Sequence, residues 1–220
     1  MRALRFVRRG LLLSALLASS AGALCEESES DEATLIGSLN GQVERQGPAL
    51  TLHAKQAMVI LTDIRCDTLP VPRDCVHRKL VAYEPDRHMF LVENNYYEGR
   101  DYIWISDVTG LSIRIKGYPH YSPNAGRFVV VNAVEYTSFN GIHLCRMQPE
   151  AQPGLFHPEL VLEYSPEEYA LYEYVAWEDD DNIQLRVTTW VDHQLKNNLP
   201  GRLFKRDPGW HLEGPPERSR

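Results

Sequence analysis

The amino-acid sequence predicts a mainly β protein, and three observations support that fold class. Ten short segments are rich in β-branched residues or alternate between apolar and polar side chains. Clusters of Gly, Pro, Asn and Asp separate them. After the N-terminal apolar run, no pattern keeps a helical period over twelve residues. The predicted strands are 57–62, 80–83, 89–93, 102–106, 112–116, 128–134, 142–147, 160–164, 170–176 and 183–190.

The first 23 residues have the layout of a secretory signal peptide. Four arginines within residues 1–9 precede the apolar run GLLLSALLASSAGA, which ends in small residues typical of a cleavage site. The sequence therefore predicts a periplasmic or secreted protein without a membrane span. The alternatives are a membrane anchor, a cytosolic amphipathic helix, or acylation of Cys25 as in a lipoprotein.

The rest of the chain is interpreted as one domain with two flexible ends. Residues 24–34 form a predicted disordered acidic leader, 35–211 a single β-rich domain, and 212–220 a disordered tail. Cys66 and Cys75 lie at the two ends of a short segment with two prolines, and this spacing predicts a disulfide between them. A zinc site that includes His77 is the alternative. Cys145 is left either free or paired with Cys25.

Three segments share one plan, in which Tyr-x-Pro leads into an apolar strand, a polar turn and a second strand. Their first tyrosines are Tyr83, Tyr121 and Tyr164, so the period is close to forty residues. That is the length of one four-stranded propeller blade. The plan predicts a small or incomplete β-propeller-like domain, with an antiparallel β-sandwich as the alternative. The three segments are 82–107, 120–147 and 163–187.

The second segment carries a family resemblance. GYPHYSPNAGRFVVV resembles the blade motif of WD-type and Tol-system propellers, in which Ser-Pro-Asp-Gly-Lys/Arg precedes a strand. Here Ala125 is inserted in that motif. The resemblance implies a propeller-like periplasmic protein, similar in fold to periplasmic inhibitors of lysozyme-type enzymes. The matching residues are Pro119, Ser122, Pro123, Asn124, Gly126 and Arg127, preceded by a turn with Asp107, Thr109 and Gly110.

Binding rather than catalysis is the expected activity. The sequence contains no nucleophile elbow, no HExxH and no P-loop, so a glycan or peptide hydrolase is the lesser alternative. Loops 94–101, 135–141 and 177–182 each join paired strands of a repeat, and we expect them at one rim. No cofactor is expected, although the acidic run from Glu178 to Asp181 could bind Ca²⁺. The candidate contact residues are Tyr96, Tyr97, Glu98, Arg100, Tyr136, Phe139, Trp177, Glu178, Asp179, Asp180 and Asp181.

Charge indicates the class of partner. The chain of 220 residues has a formal net charge of −7, and removal of the four N-terminal arginines makes it −11. Such acidity disfavours nucleic-acid binding, which needs cations to neutralise phosphates, and steers the protein toward a cationic partner. The sequence therefore predicts an exported protein-binding module, such as an inhibitor or immunity protein against a basic cell-wall hydrolase or toxin. An envelope scaffold or assembly protein is the alternative.

Overall fold

The computed structural model describes residues 23–68, 75–133, 139–148 and 158–214, with side chains from residue 31 onward except that of Thr68. One helix, α1 (Ala23–Ser38), precedes the strands, and two 3-10 turns lie at Cys66–Thr68 and Pro85–Arg87. The strands are β1 (Val43–Gln46), β2 (Ala49–His53), β3 (Met58–Thr62), β4 (Val76–Glu84), β5 (Met89–Tyr96), β6 (Gly99–Ser106), β7 (Ser112–Ile115), β8 (Pro119–Tyr121), β9 (Arg127–Asn132), β10 (Gly141–Met147), β11 (Pro158–Tyr164), β12 (Ala170–Asp179), β13 (Asn182–Val191), β14 (Gln194–Arg206) and β15 (Gly209–Glu213).

The described strands form four antiparallel sheets in chain order, which confirms the mainly β class. Sheet 1 contains β1 to β3, sheet 2 contains β4 to β7, sheet 3 contains β8 to β11, and sheet 4 contains β12 to β15. Each sheet is a meander, because strands adjacent in sequence are also hydrogen-bonded neighbours. The ten predicted strands correspond to β3 to β7 and β9 to β13. Five others were missed because they are short or, like the first half of β14, polar.

The four sheets stack face to face in the order of the chain. Along β5, Phe90 and Val92 pack against sheet 1, whereas Met89 and Leu91 pack against sheet 3. A third apolar cluster, which includes Val129 of β9, joins sheets 3 and 4. Since successive side chains of a strand point to opposite faces, sheets 2 and 3 are each buried on both faces. Closure of this stack into a propeller ring stays a prediction.

The sequence repeat matches the sheets, but one copy is out of phase. Tyr83 and Tyr121 hold equivalent places, near the ends of the first strands of sheets 2 and 3. Tyr164 instead ends β11, which is the last strand of sheet 3. The third segment is therefore shifted by one strand relative to the other two, and this shift changes where its polar turn lies.

Helix α1 spans the whole of the segment, residues 24–34, that the sequence predicts to be a disordered leader. Glu32 accepts hydrogen bonds from Arg45 Nη2 at 2.8 Å and from the backbone N–H of Leu80 at 2.6 Å. Leu35 and Ile36 pack against the core cluster between sheets 1 and 2. Tertiary contacts thus outweigh the charge repulsion that favoured disorder. At the other end β15 continues to Glu213, while 215–220 lie outside the described residues.

The disulfide between Cys66 and Cys75 is present, which confirms that prediction and is compatible with an extracytoplasmic protein. Cys145 is a free, buried thiol, and burial raises its pKa to about 12. The side chain of Cys25 and the whole of residues 1–22 lie outside the described residues, so the signal peptide and lipid anchor stay predictions. None of the described helices combines the length and apolarity needed to cross a bilayer.

Candidate functional site: two rims of the stacked sheets

The turns between strands fall at two opposite rims of the stack. Asp107 N donates to His88 O, so the turns after β4 and β6 lie together. Tyr121 donates to Glu84, and Asn124 N donates to Asp180, which adds the turns after β8 and β12 to the same rim. We name it the polar rim; its described turns are 54–57, 85–88, 107–111, 122–126, 180–181 and 207–208.

The opposite ends of the same strands form the second rim. Asn132 Nδ2 donates to Lys116 O, and Asn140 Nδ2 donates to Ala170 O, so the connections before β8, after β9 and before β12 lie together. We name it the aromatic rim for the side chains described below. Its described turns are 47–48, 63–67, 97–98, 116–118, 139–140, 165–169 and 192–193.

The three predicted binding loops do not share a rim. Loop 94–101 joins the second and third strands of sheet 2 and lies at the aromatic rim, as do residues 139–141, the described part of loop 135–141. Loop 177–182 joins the first and second strands of sheet 4, so the one-strand shift puts it at the polar rim. The six residues of β9, about 17 Å of extended chain, separate the two positions. The expectation of a single rim is therefore wrong.

At the polar rim, side chains bond across turns and between sheets. Tyr83 donates to Asp107 Oδ2 at 2.7 Å, and His88 Nδ1 lies 3.3 Å from the other oxygen of the same carboxylate. Burial, followed by the hydrogen bond to Asp107, raises the pKa of Tyr83 to about 12. The cluster ties the turn after β4 to the turn after β6.

Tyr121 makes the equivalent link between sheets 2 and 3. Its hydroxyl donates to Glu84 Oε1 at 3.0 Å, and the guanidinium of Arg87 lies 3.8 Å from the ring centroid. Arg87 also pairs with Glu84 Oε2 at 3.0 Å. Burial and then the negative charge of Glu84 raise the pKa of Tyr121. The three side chains therefore satisfy one another and leave little capacity for an outside ligand.

The acidic turn 178–182 is also committed to contacts within the protein. Asp180 accepts from the backbone N–H of Asn124 at 3.0 Å, and Arg127 Nη1 donates to the backbone oxygen of Asp180 at 2.9 Å. Arg127 also pairs with Asp181 at 3.2 Å. The side-chain hydrogen bond from Asn182 lowers the pKa of Asp179. The carboxylates of the acidic turn thus accept from different donors. Among the described residues, no group of three acidic, His or Cys side chains is placed to hold a metal ion. The disulfide uses both sulfur atoms of the zinc alternative, so that alternative is wrong, and the described residues give no support for a calcium site at the acidic turn.

Trp177 and Glu178, which are also predicted contact residues, take part in the fold. Trp177 Nε1 donates to His120 O at 2.9 Å, and its ring meets the ring of Trp210 edge to face. Glu178 lies at the surface and pairs with Arg202 at 3.2 Å. Trp177 thus fastens sheet 4 to sheet 3 instead of presenting a free ring to a partner.

The aromatic rim has a different surface. In the part of the chain that the structure describes, only four Phe, Tyr or Trp side chains are exposed, and all four lie in turns or strand ends of this rim. By contrast, the tyrosines and tryptophans named at the polar rim are all partly buried. The exposed residues are Tyr97 at 65%, Trp190 at 46%, Tyr118 at 43% and Tyr169 at 37%.

Unpaired acidic groups flank these exposed rings. Each of four exposed carboxylates lies within two residues of an exposed aromatic residue along the chain. None of the four forms an ion pair within the described ranges. Lys196 adds one cation in the hairpin of Trp190, where it donates to Gln194. The carboxylates are those of Glu98, Glu167, Glu168 and Asp192.

The tip of the β5–β6 hairpin contains four predicted contact residues, three of which face solvent. Tyr97, Glu98 and Arg100 are exposed, and Arg100 lies 3.6 Å from Glu93. Tyr96 turns back, with its hydroxyl 3.3 Å from both carboxylate oxygens of Asp101. Farther along the rim, Phe139 is buried, with only 7% exposed. Tyr136 lies outside the described residues.

The β13–β14 hairpin contributes a site that the sequence reasoning missed. Trp190 faces Leu195 across the two strands, and both are exposed. Strand β12 pairs with β13 only as far as Thr189, so the tip projects past it. The two turn residues, Asp192 and His193, both have positive φ, as in a tight two-residue hairpin turn. The pattern of two apolar residues flanking a short polar turn was the available signal.

Comparison with family models, curated proteins and solved structures gives no match for this chain. The resemblance of residues 119–127 to propeller blade motifs therefore stays a prediction.

Proposed function

We propose that this protein is an exported protein-binding module whose contact surface is the aromatic rim. One observation carries the proposal: every exposed Phe, Tyr or Trp side chain of the described residues lies at that rim. Tyr and Trp are enriched at protein interfaces, where they bury large areas and keep a polar group for hydrogen bonding. A fold that buries its other aromatic residues, yet exposes these on one side, favours a binding role for them.

The width of the rim favours a protein as the partner. Tyr97 belongs to sheet 2 and Trp190 to sheet 4, with sheet 3 between them. Packed sheets lie about 10 Å apart, so these rings are on the order of 20 Å from each other. A standard protein interface covers about 800 Å² on each partner and reaches across such a distance. A small metabolite would touch only one of the rings.

Charge favours a basic partner. The exported chain has a net charge of −11 after loss of the N-terminal arginines, and unpaired carboxylates flank the exposed rings. Such an arrangement accelerates encounter with a cationic surface and makes binding sensitive to salt. The form that we favour is an inhibitor or immunity protein against a basic cell-wall hydrolase or toxin. A scaffold role in the envelope would use the same rim without needing a basic partner.

Capture from envelope extract with matched variants tests the rim directly. The bait is residues 26–220, as wild type, as Tyr97→Ser with Trp190→Ser, and as Leu111→Ser with Leu160→Ser. The last pair removes equally exposed apolar groups, since Leu111 is 61% and Leu160 is 49% exposed, but neither belongs to the aromatic rim. We expect wild type and the leucine variant to retain the same basic protein, and the rim variant to lose it. Equal retention by both variants would contradict the proposal.

Salt and activity then separate the two forms of the function. Loss of the captured protein at high salt, together with inhibition of its hydrolase activity by stoichiometric wild type, supports the inhibitor form. A salt-resistant complex that leaves the captured protein active supports the scaffold form. Charge reversal by Glu167→Lys with Glu168→Lys should slow association with a basic partner and leave a neutral one unaffected.

A further inference from the structure

The edges of the four sheets differ in how they are protected. Eight described strands form edges, two in each sheet. Charged side chains and prolines in an edge strand discourage pairing with another chain. Seven of the eight edge strands contain at least one charged residue or proline, for example Arg114 in β7 and Pro119 in β8. Strand β3 has the sequence MVILT and contains no charged residue and no proline. It belongs to sheet 1, the only described sheet that has three strands instead of four.

Strand β3 also exposes apolar side chains. Met58 is 60% exposed and Ile60 is 54% exposed on the outer face of sheet 1. Val59 and Leu61 point the other way and pack against the core between sheets 1 and 2. The strand therefore combines an uncharged edge with an apolar outer face, which is the pattern that favours addition of another strand.

The backbone of β3 is oriented to accept that strand. Asp63 N donates to Pro48 O, which continues the β2–β3 ladder by one residue. Because hydrogen-bonded pairs alternate along an antiparallel ladder, Leu61 and Val59 bond to β2, and the intervening residues direct their N–H and C=O groups to the open edge. Those residues are Met58, Ile60 and Thr62. The open part of the edge ends at Thr62, because the next residue that faces outward, Ile64, already pairs with Val76 of β4. Arg78 Nη1 donates to the Thr62 oxygen, which keeps a second lone pair.

We propose that β3 pairs with β3 of a second copy of this chain, antiparallel, about a two-fold axis at Ile60. In that register the two Ile60 residues face each other and exchange both backbone hydrogen bonds, and Thr62 N–H donates to the oxygen of Met58. Met58 N–H shares the Thr62 oxygen with Arg78. Asp63 falls opposite Ala57, so no like charges meet. A symmetric dimer needs a self-complementary surface, and an uncharged strand whose centre lies on the axis provides one. Two three-stranded sheets then join into one continuous sheet.

Self-association of the mature chain, residues 26–220, is measured by sedimentation velocity over a concentration series. The strand pair buries less than the roughly 800 Å² per partner of a standard interface, so we expect dissociation constants in the micromolar range. Ile60→Lys places two ammonium groups face to face on the axis and should weaken the dimer at least about tenfold. Leu160→Lys alters a comparably exposed residue in edge strand β11 and should leave the dimer intact. A wild type that stays monomeric, or equal weakening by both variants, overturns the proposal.

Cysteine cross-linking tests the register independently of affinity. Facing residues of a hydrogen-bonded antiparallel pair have Cα atoms about 5.5 Å apart, which a disulfide spans. Ile60→Cys should therefore give a reducible covalent dimer under mild oxidation. In Met58→Cys the two new thiols lie on opposite sides of the axis, roughly 14 Å apart, and should not cross-link. Absence of the Ile60→Cys dimer, or equal cross-linking by both variants, contradicts the two-fold pairing. Cys145 does not compete because it is buried.

Discussion

The polar and aromatic rims lie at opposite ends of the same strands and use aromatic residues in opposite ways. At the polar rim the hydroxyl of Tyr121 reaches Glu84 of the neighbouring sheet, and Trp177 donates to His120 O. At the aromatic rim the side chains of Tyr97 and Trp190 are exposed. The same residue types therefore join sheets at one end and are exposed to solvent at the other. Residue type alone does not assign a role, since the deciding factor is whether the adjacent turn supplies a partner.

The turns explain the difference. Polar-rim turns carry side chains that reach the next sheet, as Arg127 does when it pairs with Asp181. At the aromatic rim, the β5–β6 and β13–β14 strands reverse in two-residue turns whose residues, among them Tyr97, Glu98 and Asp192, are exposed. We infer that the polar rim contributes mainly to the stability of the stack and the aromatic rim mainly to binding. The predictions below test that division.

The largest expected effect on stability is at Tyr121. Tyr121→Ala removes a partly buried ring that packs in the core between sheets 2 and 3 and deprives Glu84 and Arg87 of their partner. We expect the free energy of unfolding to fall by about 3 kcal/mol. The matched change at the other rim, Tyr97→Ala, should cost less than about 0.5 kcal/mol. Urea unfolding of both variants measures the difference.

Tyr121→Phe separates the ring from its hydroxyl. It keeps the packing and the contact with Arg87, so about 1 kcal/mol should be lost. Similar losses for Tyr121→Ala and Tyr97→Ala would show that the two rims do not differ in their contribution to stability.

Much of the fold could be predicted from the sequence because local patterns encode it. The continuous apolar runs of β5 and β9 reflect burial on both faces of sheets 2 and 3, and the forty-residue repeat reflects the four-strand meander. The phase of the third segment could not be predicted. A strand at the end of one sheet and a strand at the start of the next have the same local pattern, so Tyr164 looked equivalent to Tyr121.

The candidate site was only partly predictable, for a related reason. Tyr97, Glu98 and Arg100 follow from a polar hairpin turn, which is a local feature. The acidic turn was misinterpreted because Asn124 and Arg127, which satisfy Asp180 and Asp181, lie more than fifty residues away in the chain. A run of carboxylates has the same sequence pattern whether it binds a cation or pairs with distant donors.

An intermediate effect on stability is expected at His120, which lies between sheets 3 and 4 and between the two rims. Its ring stacks on Tyr174 with centroids 3.7 Å apart, and burial lowers its pKa from 6.5 to about 4. The unfolded chain therefore binds this proton at a higher pH than the folded chain does. The contribution of neutral His120 to the free energy of unfolding is therefore fully present above about pH 6.5 and is lost as the pH falls toward 4.

His120→Phe tests that dependence, because it keeps an aromatic ring against Tyr174 but cannot be protonated. Unfolding measured from pH 7 to pH 4 should show that wild type loses about 1–2 kcal/mol more than the variant, after a discount for partial exposure. The difference between the two proteins removes the contribution of the other histidines. Parallel curves would show that His120 titrates normally and is not desolvated at this interface.

The smallest expected effect on stability is at Trp190, and there a small effect is the informative result. Trp190→Ala removes a ring that is 46% exposed and pairs with Leu195 across the hairpin, so the loss should stay near about 0.5 kcal/mol. Trp104 is buried, and Trp177 and Trp210 are partly buried. Trp190 should therefore supply most of the fluorescence that acrylamide quenches, and Trp190→Phe should abolish that fraction. A loss of stability as large as that of Tyr121→Ala, or unchanged quenching, would mean that this ring packs into the fold. The hairpin would then belong with the polar rim in function, and the proposed contact surface would lose its most prominent element.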